Sequence, residues 1–188
     1  MKYAKTNIIF PFLFLIALFS CKKDDPKNEN NLILISQFPI NIPETSGLAG
    51  FQDDTFLTIS DSLSKVYKIN SSGEILKSFD YVGENTEGIA YDPMSREIYV
   101  VEEKTNEIVQ LDTNGFEVNR FSIPLNNQFE KHGLEGISYN PFNHHLYVVS
   151  EKLPSILFEV TKDGTIVESH ELNFADDYSS VFYDPHQN

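Results

Sequence analysis

The sequence predicts an all-β fold assembled from four-stranded β-propeller blades. Three observations lead there. A short motif recurs as Thr45-Ser46-Gly47-Leu48-Ala49, Thr86-Glu87-Gly88-Ile89-Ala90, Leu134-Glu135-Gly136-Ile137-Ser138 and Ser179-Ser180-Val181-Phe182. Taking Gly47, Gly88, Gly136 and Ser180 as equivalent, the intervals are 41, 48 and 44 residues, a period that belongs to repeat architectures. Each period also holds four short apolar runs separated by turn residues, and helical spacing is missing beyond the N-terminal segment.

Residues 1–21 read as an export signal. Lys2 and Lys5 precede an apolar run from Ile8 to Phe19. At 1.5 Å of rise per residue that run is too short to cross a hydrocarbon core of roughly 30 Å. It ends in Leu18-Phe19-Ser20-Cys21, followed by Lys22-Lys23-Asp24-Asp25, which resembles a bacterial lipoprotein box with its charged tether. The resemblance implies lipidation at Cys21, an outer-membrane lipoprotein of the cell envelope and a surface-exposed location. Acyl chains there would anchor at about 0.8 kcal/mol per buried CH₂. Cys21 is also the only cysteine, so an intramolecular disulfide is excluded.

Residues 22–31 form a polar spacer too poor in apolar groups to bury anything. Leu32-Ile33-Leu34-Ile35 reads as a short apolar strand opening the folded part, residues 32–188. Blades follow at about 44–82, 84–123 and 133–173, with the start of a further blade at 177–188.

Within the second blade, Glu87–Tyr91 is the first strand and Asp92-Pro93 a turn, where Asp bonds the backbone and Pro presets φ. Ile98–Val101 is a continuous apolar strand, as expected when sheets cover both its faces. Ile108–Leu111 is the third strand, Asp112–Gly115 a hairpin turn and Phe116–Ser122 the fourth strand. The hairpin turn recurs at Asn70–Gly73 and Thr161–Gly164, and the Tyr-Asx-Pro turn at Tyr139–Pro141 and Tyr183–Pro185. The second strand recurs as Phe56–Ile59 and Leu146–Val149. Propellers carry four to eight blades. With three complete blades and part of a fourth, either Leu32–Ile35 closes a small ring or the chain is a fragment of a longer propeller, and the fragment is the expectation.

The formal charge is −14, and −16 without Lys2 and Lys5. So acidic a surface argues against nucleic acid, whose phosphates are neutralised by Lys and Arg. It suits a solvated exterior or cation binding.

Glu-Thr-Ser-Gly-Leu at 44–48, Glu-Gly-Ile at 87–89 and 135–137, and the Tyr-Asx-Pro turns together resemble the SdiA-regulated family. The likeness runs from about Leu32 to the last residue. It implies an exported or membrane-anchored six-bladed propeller, of which about half the ring is present here, and little about chemistry. By shape such propellers are similar to phytase-like, lactonase and gluconolactonase propellers, several of which hold calcium in the channel; folds do not fix function.

First strands line a propeller's channel, so acids at their starts are candidate ligands. Glu87 and Glu135 directly precede the glycine, whereas Glu44 and Asp177 stand three residues before its equivalent. Converging hard oxygens suit Ca²⁺, which takes six to eight of them at about 2.3–2.6 Å. The competing role is structural: carboxylates accepting backbone N–H bonds from the adjacent blade. A second set, Asp61, Glu103 and Glu151, ends the second strands and should enrich the same mouth in negative charge, because successive strands are antiparallel. His132 is a candidate general base beside Glu135, while His144 and His145 sit in a turn on the opposite face. No nucleophile elbow, phosphate loop, zinc spacing or EF-hand loop occurs, so no catalytic residue is assigned. The sequence therefore points to a lipid-anchored module that binds a ligand or a protein, with Ca²⁺ in the channel. The alternatives are a calcium-dependent phosphoesterase or lactonase-like hydrolase, or a truncated product without function.

Overall fold

The computed structural model describes residues 33–125, 133–152 and 154–186. Compact unit boundaries fall at Ser36/Gln37, and the account below concerns the unit from Gln37 onward. Among the described residues there is no helix. Three antiparallel sheets of four strands follow one another along the chain. Blade 1 is β1 (Thr45–Gly50), β2 (Phe56–Ser60), β3 (Lys65–Ile69) and β4 (Ile75–Val82). Blade 2 is β5 (Thr86–Asp92), β6 (Glu97–Glu102), β7 (Glu107–Leu111) and β8 (Glu117–Ser122). Blade 3 is β9 (Leu134–Tyr139), β10 (Leu146–Ser150), β11 (Ile156–Val160) and β12 (Ile166–Glu171). Each sheet is a meander in sequence order, the topology expected of a propeller blade.

The core lies between blades. Leu57, Ile59, Val66 and Phe79 of blade 1 meet Ile89, Ile98, Val100 and Leu111 of blade 2. On the far face of blade 2, Tyr99, Val101 and Ile108 meet Leu134, Ile137, Leu146 and Val160 of blade 3. The second strand is apolar at successive positions because it faces both neighbours: Ile98 and Val100 point one way, Tyr99 and Val101 the other.

The recurring glycine is where the first strands touch. A Cβ on Gly47 would stand 2.9 Å from the Ile89 nitrogen, and one on Gly88 would stand 2.8 Å from the Glu135 carbonyl oxygen. One on Gly136 would stand 2.7 Å from the Ser180 Cα. Backbone cannot yield as a side chain does, so the period in the sequence records backbone contact between blades. The hairpin glycines serve a different need: Gly73, Gly115 and Gly164 have φ of 79°, 93° and 89°. Each closes a turn whose first residue also accepts backbone bonds through its side chain, as Asp112 Oδ1 does from Asn114 N and Phe116 N.

Two buried polar clusters tie neighbouring blades together. Glu102, at the end of β6 and 0% exposed, accepts hydrogen bonds from Tyr81 of blade 1 at 2.5 Å, from Thr105 at 3.0 Å and from Arg120 at 2.9 Å. Burial raises its pKa, but the bonds from Tyr81, Arg120 and Thr105 outweigh that and hold it below the usual carboxylate range. Asp92, at the end of β5, receives Lys162 from the blade 3 hairpin at 2.7 Å, and Lys162 also reaches Glu97 at 2.6 Å. Burial opposes ionisation of Asp92, yet Lys162, Ser95 and the Met94 N–H together bring its pKa down to about 2.

Two expectations need correction. Among the described residues Ile33–Ile35 forms no strand, and its side chains are 76–93% exposed. The apolar segment that does pack onto blade 1 comes later, where Ile42 joins Tyr67 and Ile69 in a small core. The start of the fourth blade is not a strand either, because Ser179–Asp184 has no ladder partner among the described residues. It still lies along β9, with Tyr183 N donating to Ser138 Oγ at 2.9 Å and Tyr183 stacked on Tyr147 at 5.9 Å.

Candidate functional site: an acidic channel mouth

The starts of the first strands and the ends of the second strands meet at one mouth of the channel. Pairing places them there: Thr86 is opposite Glu102 and Leu134 opposite Ser150. In each blade the residue after the second strand donates its N–H to the residue before the first. Asp61 N bonds the Glu44 carbonyl at 2.9 Å, Glu103 N that of Asn85 at 2.8 Å and Glu151 N that of Gly133 at 3.0 Å. These bonds fix the backbone at Asp61, Glu103 and Glu151.

The side chains then sort themselves across blade boundaries. Carboxylate oxygens of Glu103, Glu135 and Glu151 all lie within 4.8 Å of one another. Glu87 accepts from Ser46 Oγ of the preceding blade at 2.6 Å and sits beside Asp61 and Glu103. Asn85 donates to Glu103, and Gly133 N lies 3.5 Å from the same carboxylate. Lys152 pairs with Glu151, and with Asp177 at 3.1 Å.

Crowding and partial burial raise the pKa of Glu87, Glu103 and Glu135. Burial comes first for Glu135, and repulsion from Glu87, Glu103, Glu151 and Asp177 adds to it, raising its pKa to about 8. Glu87 rises to about 7 for burial and for the charges of Asp61 and Glu103, against the Ser46 hydrogen bond that lowers it. Glu103 is raised as well, by burial and by Glu151. Glu87 and Glu135 are thereby disposed to hold a proton near neutrality or to exchange it for a cation that satisfies several oxygens at once.

Of the four residues expected as metal ligands, only Glu135 enters the three-carboxylate cluster. Its companions Glu103 and Glu151 come from the set expected to be a secondary rim. Glu87 is one neighbour away, Asp177 is exposed against Lys152, and Glu44 is exposed and contributes its backbone carbonyl. The regrouping is geometric: Glu103, held to Asn85 of its own blade, also lies 3.5 Å through Oε1 from Gly133 N at the start of the next. Asn85, Ser46 and Lys152 are partners that no motif announced. Cys21 and His132 lie outside the described residues.

The first strands continue from this mouth into a groove of about 270 Å³ lined by Gly47, Glu87, Ile89, Glu135, Ile137 and Val181 among others. The family model described as SdiA-regulated matches residues 42–188. This chain belongs to the SdiA-regulated family. No curated protein matches it in sequence.

Solved structures similar to this SdiA-regulated chain carry diverse descriptions. A streptogramin B lyase structure has a TM-score of 0.56 at 19% identity, with 78% of this chain and 47% of that one covered. Hydrazine synthase from Kuenenia stuttgartiensis has a TM-score of 0.60 at 14% identity, covering 82% and 43%. A nidogen/laminin complex chain has a TM-score of 0.58 at 20% identity, covering 76% and 53%. At these identities the likeness shows the fold alone. The chain spans about half the length of the structures it matches.

Proposed function

We propose that this member of the SdiA-regulated family is a lipid-anchored cell-envelope propeller that binds a ligand or protein partner at its acidic mouth, with Ca²⁺ held by Glu103, Glu135 and Glu151. The convergence of those three carboxylates within 4.8 Å, from two blades, carries the reading. Neighbouring Glu87 offers a further carboxylate, and backbone bonds hold Glu103 and Glu151 each to the start of its own blade's first strand. A calcium-dependent phosphoesterase or lactonase is a second reading. It is favoured by the proton that Glu135 retains near pH 8, which would let it act as a general acid or base.

The raised carboxylates set the sign of the test. The unfolded chain releases these protons above about pH 4.5, while the folded chain holds them to about 7 and 8. Folding therefore binds protons in between. The stability these groups contribute is fully present below 4.5 and is lost as pH rises through 7–8. Thermal unfolding without metal is expected to show a melting temperature that falls between pH 5 and pH 8. Calcium competes with the same protons, so millimolar Ca²⁺ should raise the melting temperature more at pH 8 than at pH 6. At a hundredfold excess over Kd the gain is about 2.7 kcal/mol. Glu135→Gln should flatten the pH dependence and remove the calcium shift; an equal shift in that variant overturns the site. Hydrolase activity surviving Glu135→Gln overturns the second reading.

Anchoring is tested separately. Labelled palmitate supplied to cells expressing the chain is expected in the wild-type protein and absent from Cys21→Ser. Equal labelling of both would remove the anchor from Cys21.

A further inference from the structure

The acidic mouth has a cation of its own. Among the described residues one ammonium pairs with the Glu103, Glu135 and Glu151 cluster, that of Lys152. Lys152 stands in the connection between β10 and β11, and its side chain is 29% exposed. Its Nζ is shared between Glu151 and Asp177, the latter at 3.1 Å. Asp177 comes from the segment after β12, and that segment is tied to the same connection. Tyr178 N donates to the Glu151 carbonyl at 3.2 Å, and Leu172 N donates to that of Ser155 at 2.8 Å. The ammonium is therefore held between one carboxylate of the cluster and one outside it.

The other blades show that the local turn does not impose this placement. The positions equivalent to Lys152 are Ser62 in blade 1 and Lys104 in blade 2. Lys104 also follows a rim acid, Glu103, yet its ammonium pairs with Glu84 and both side chains are more than half exposed. Glu103 takes the neutral amide of Asn85 instead. Of two lysines at one position of the repeat, one leans onto the cluster and the other leans away.

An ammonium on Glu151 cancels charge that a bound cation would use, and a divalent ion approaching the cluster is repelled by it. Asp177 limits that cost. It is 57% exposed and already in contact, so leaving Glu151 breaks one of two pairs and keeps the other. We propose, on the basis of the calcium reading of this rim, that Lys152 is its built-in counter-ion. The ammonium neutralises Glu151 while no metal is bound and withdraws to Asp177 when one is. Calcium affinity at the mouth is thus set by a residue that is not a ligand.

The test is competition of the full chain, in mild detergent, against a fluorescent calcium chelator, with melting temperature measured alongside in metal-free buffer. Lys152→Met should bind Ca²⁺ about tenfold more tightly than wild type, the factor for a unit charge a few ångströms from a divalent ion in water. The same variant should melt lower without metal, and more so at low salt, because the acids then repel one another unscreened. A lysine that merely props up the rim would lose affinity along with stability. Lys104→Met removes the same charge at the equivalent position and should change the affinity by less than about twofold. Asp177→Asn should weaken calcium binding, and by a smaller factor when Lys152→Met is also present. Affinity unchanged or lower in Lys152→Met, or an equal gain from Lys104→Met, overturns the counter-ion role and leaves the calcium site standing. No competition by wild type and Lys152→Met alike removes the site itself, and this proposal with it.

Discussion

Glu102→Ala is expected to destabilise the fold by about 3–5 kcal/mol, the range for breaking a buried ion pair. Glu102 is fully buried and holds Tyr81, Thr105 and Arg120 together. Its loss leaves the Tyr81 hydroxyl without that acceptor in a dry interface and opens a void between blades 1 and 2. Arg120 keeps Glu107 at 2.6 Å and Glu117 at 2.9 Å, which places the expected loss toward the lower end of the range. Urea denaturation followed by circular dichroism measures it as a shift in midpoint at constant slope. A loss below about 1 kcal/mol, the level of an exposed pair, would mean that the cluster is wet rather than buried. Glu117→Ala, at the exposed end of the same network, is the internal control and should change little.

Gly88→Val is expected to lose about 3 kcal/mol or more, beyond the ordinary range for overpacking. The new Cβ would lie 2.8 Å from the Glu135 carbonyl oxygen, 2.9 Å from Val101 Cγ2 and 3.0 Å from the Ile137 nitrogen. Two of the three obstacles are backbone, so relief requires blade 3 to move away from blade 2. That movement shifts Glu135 relative to Glu103, so any calcium-dependent stabilisation should fall with the stability. Gly50→Ala provides the contrast. Gly50 is also in a first strand, but nothing lies within 4 Å of the added carbon, and the change should stay within about 0.5 kcal/mol. Equal effects at the two positions would refute backbone contact as the reason for the recurring glycine.

The blades were legible in the sequence because their determinants are local or strictly periodic. Gly47, Gly88 and Gly136 announce the inner strand, and Asp112–Gly115 closes a hairpin through its own side chain and its own φ. Cross-blade chemistry was not legible. Glu102 looks like one more acid beside Glu103, yet one is buried in a cluster with Tyr81 and Arg120 while the other faces the channel mouth. The equivalent positions Ser60 and Ser150 are also fully buried, bonding Pro43 and Pro154 carbonyls, so the slot is structural in every blade. Grouping the rim acids by strand position separated Glu135 from Glu103 and Glu151, although the ring's curvature brings them together. Ile33–Ile35 failed as a strand because apolar composition cannot supply a ladder partner.

Lys162 reaches Asp92 across 70 residues of sequence. A ribosome delivering the chain from its N-terminus completes all of blade 2 before the ammonium that neutralises Asp92 exists. During that interval Asp92 has only Ser95 and the Met94 N–H as partners, and the face of blade 2 that meets blade 3 is uncovered. Leu134, Ile137 and Leu146 cover that face and the Thr161–Gly164 hairpin then supplies the ammonium, so blade 2 reaches its final surroundings only with blade 3.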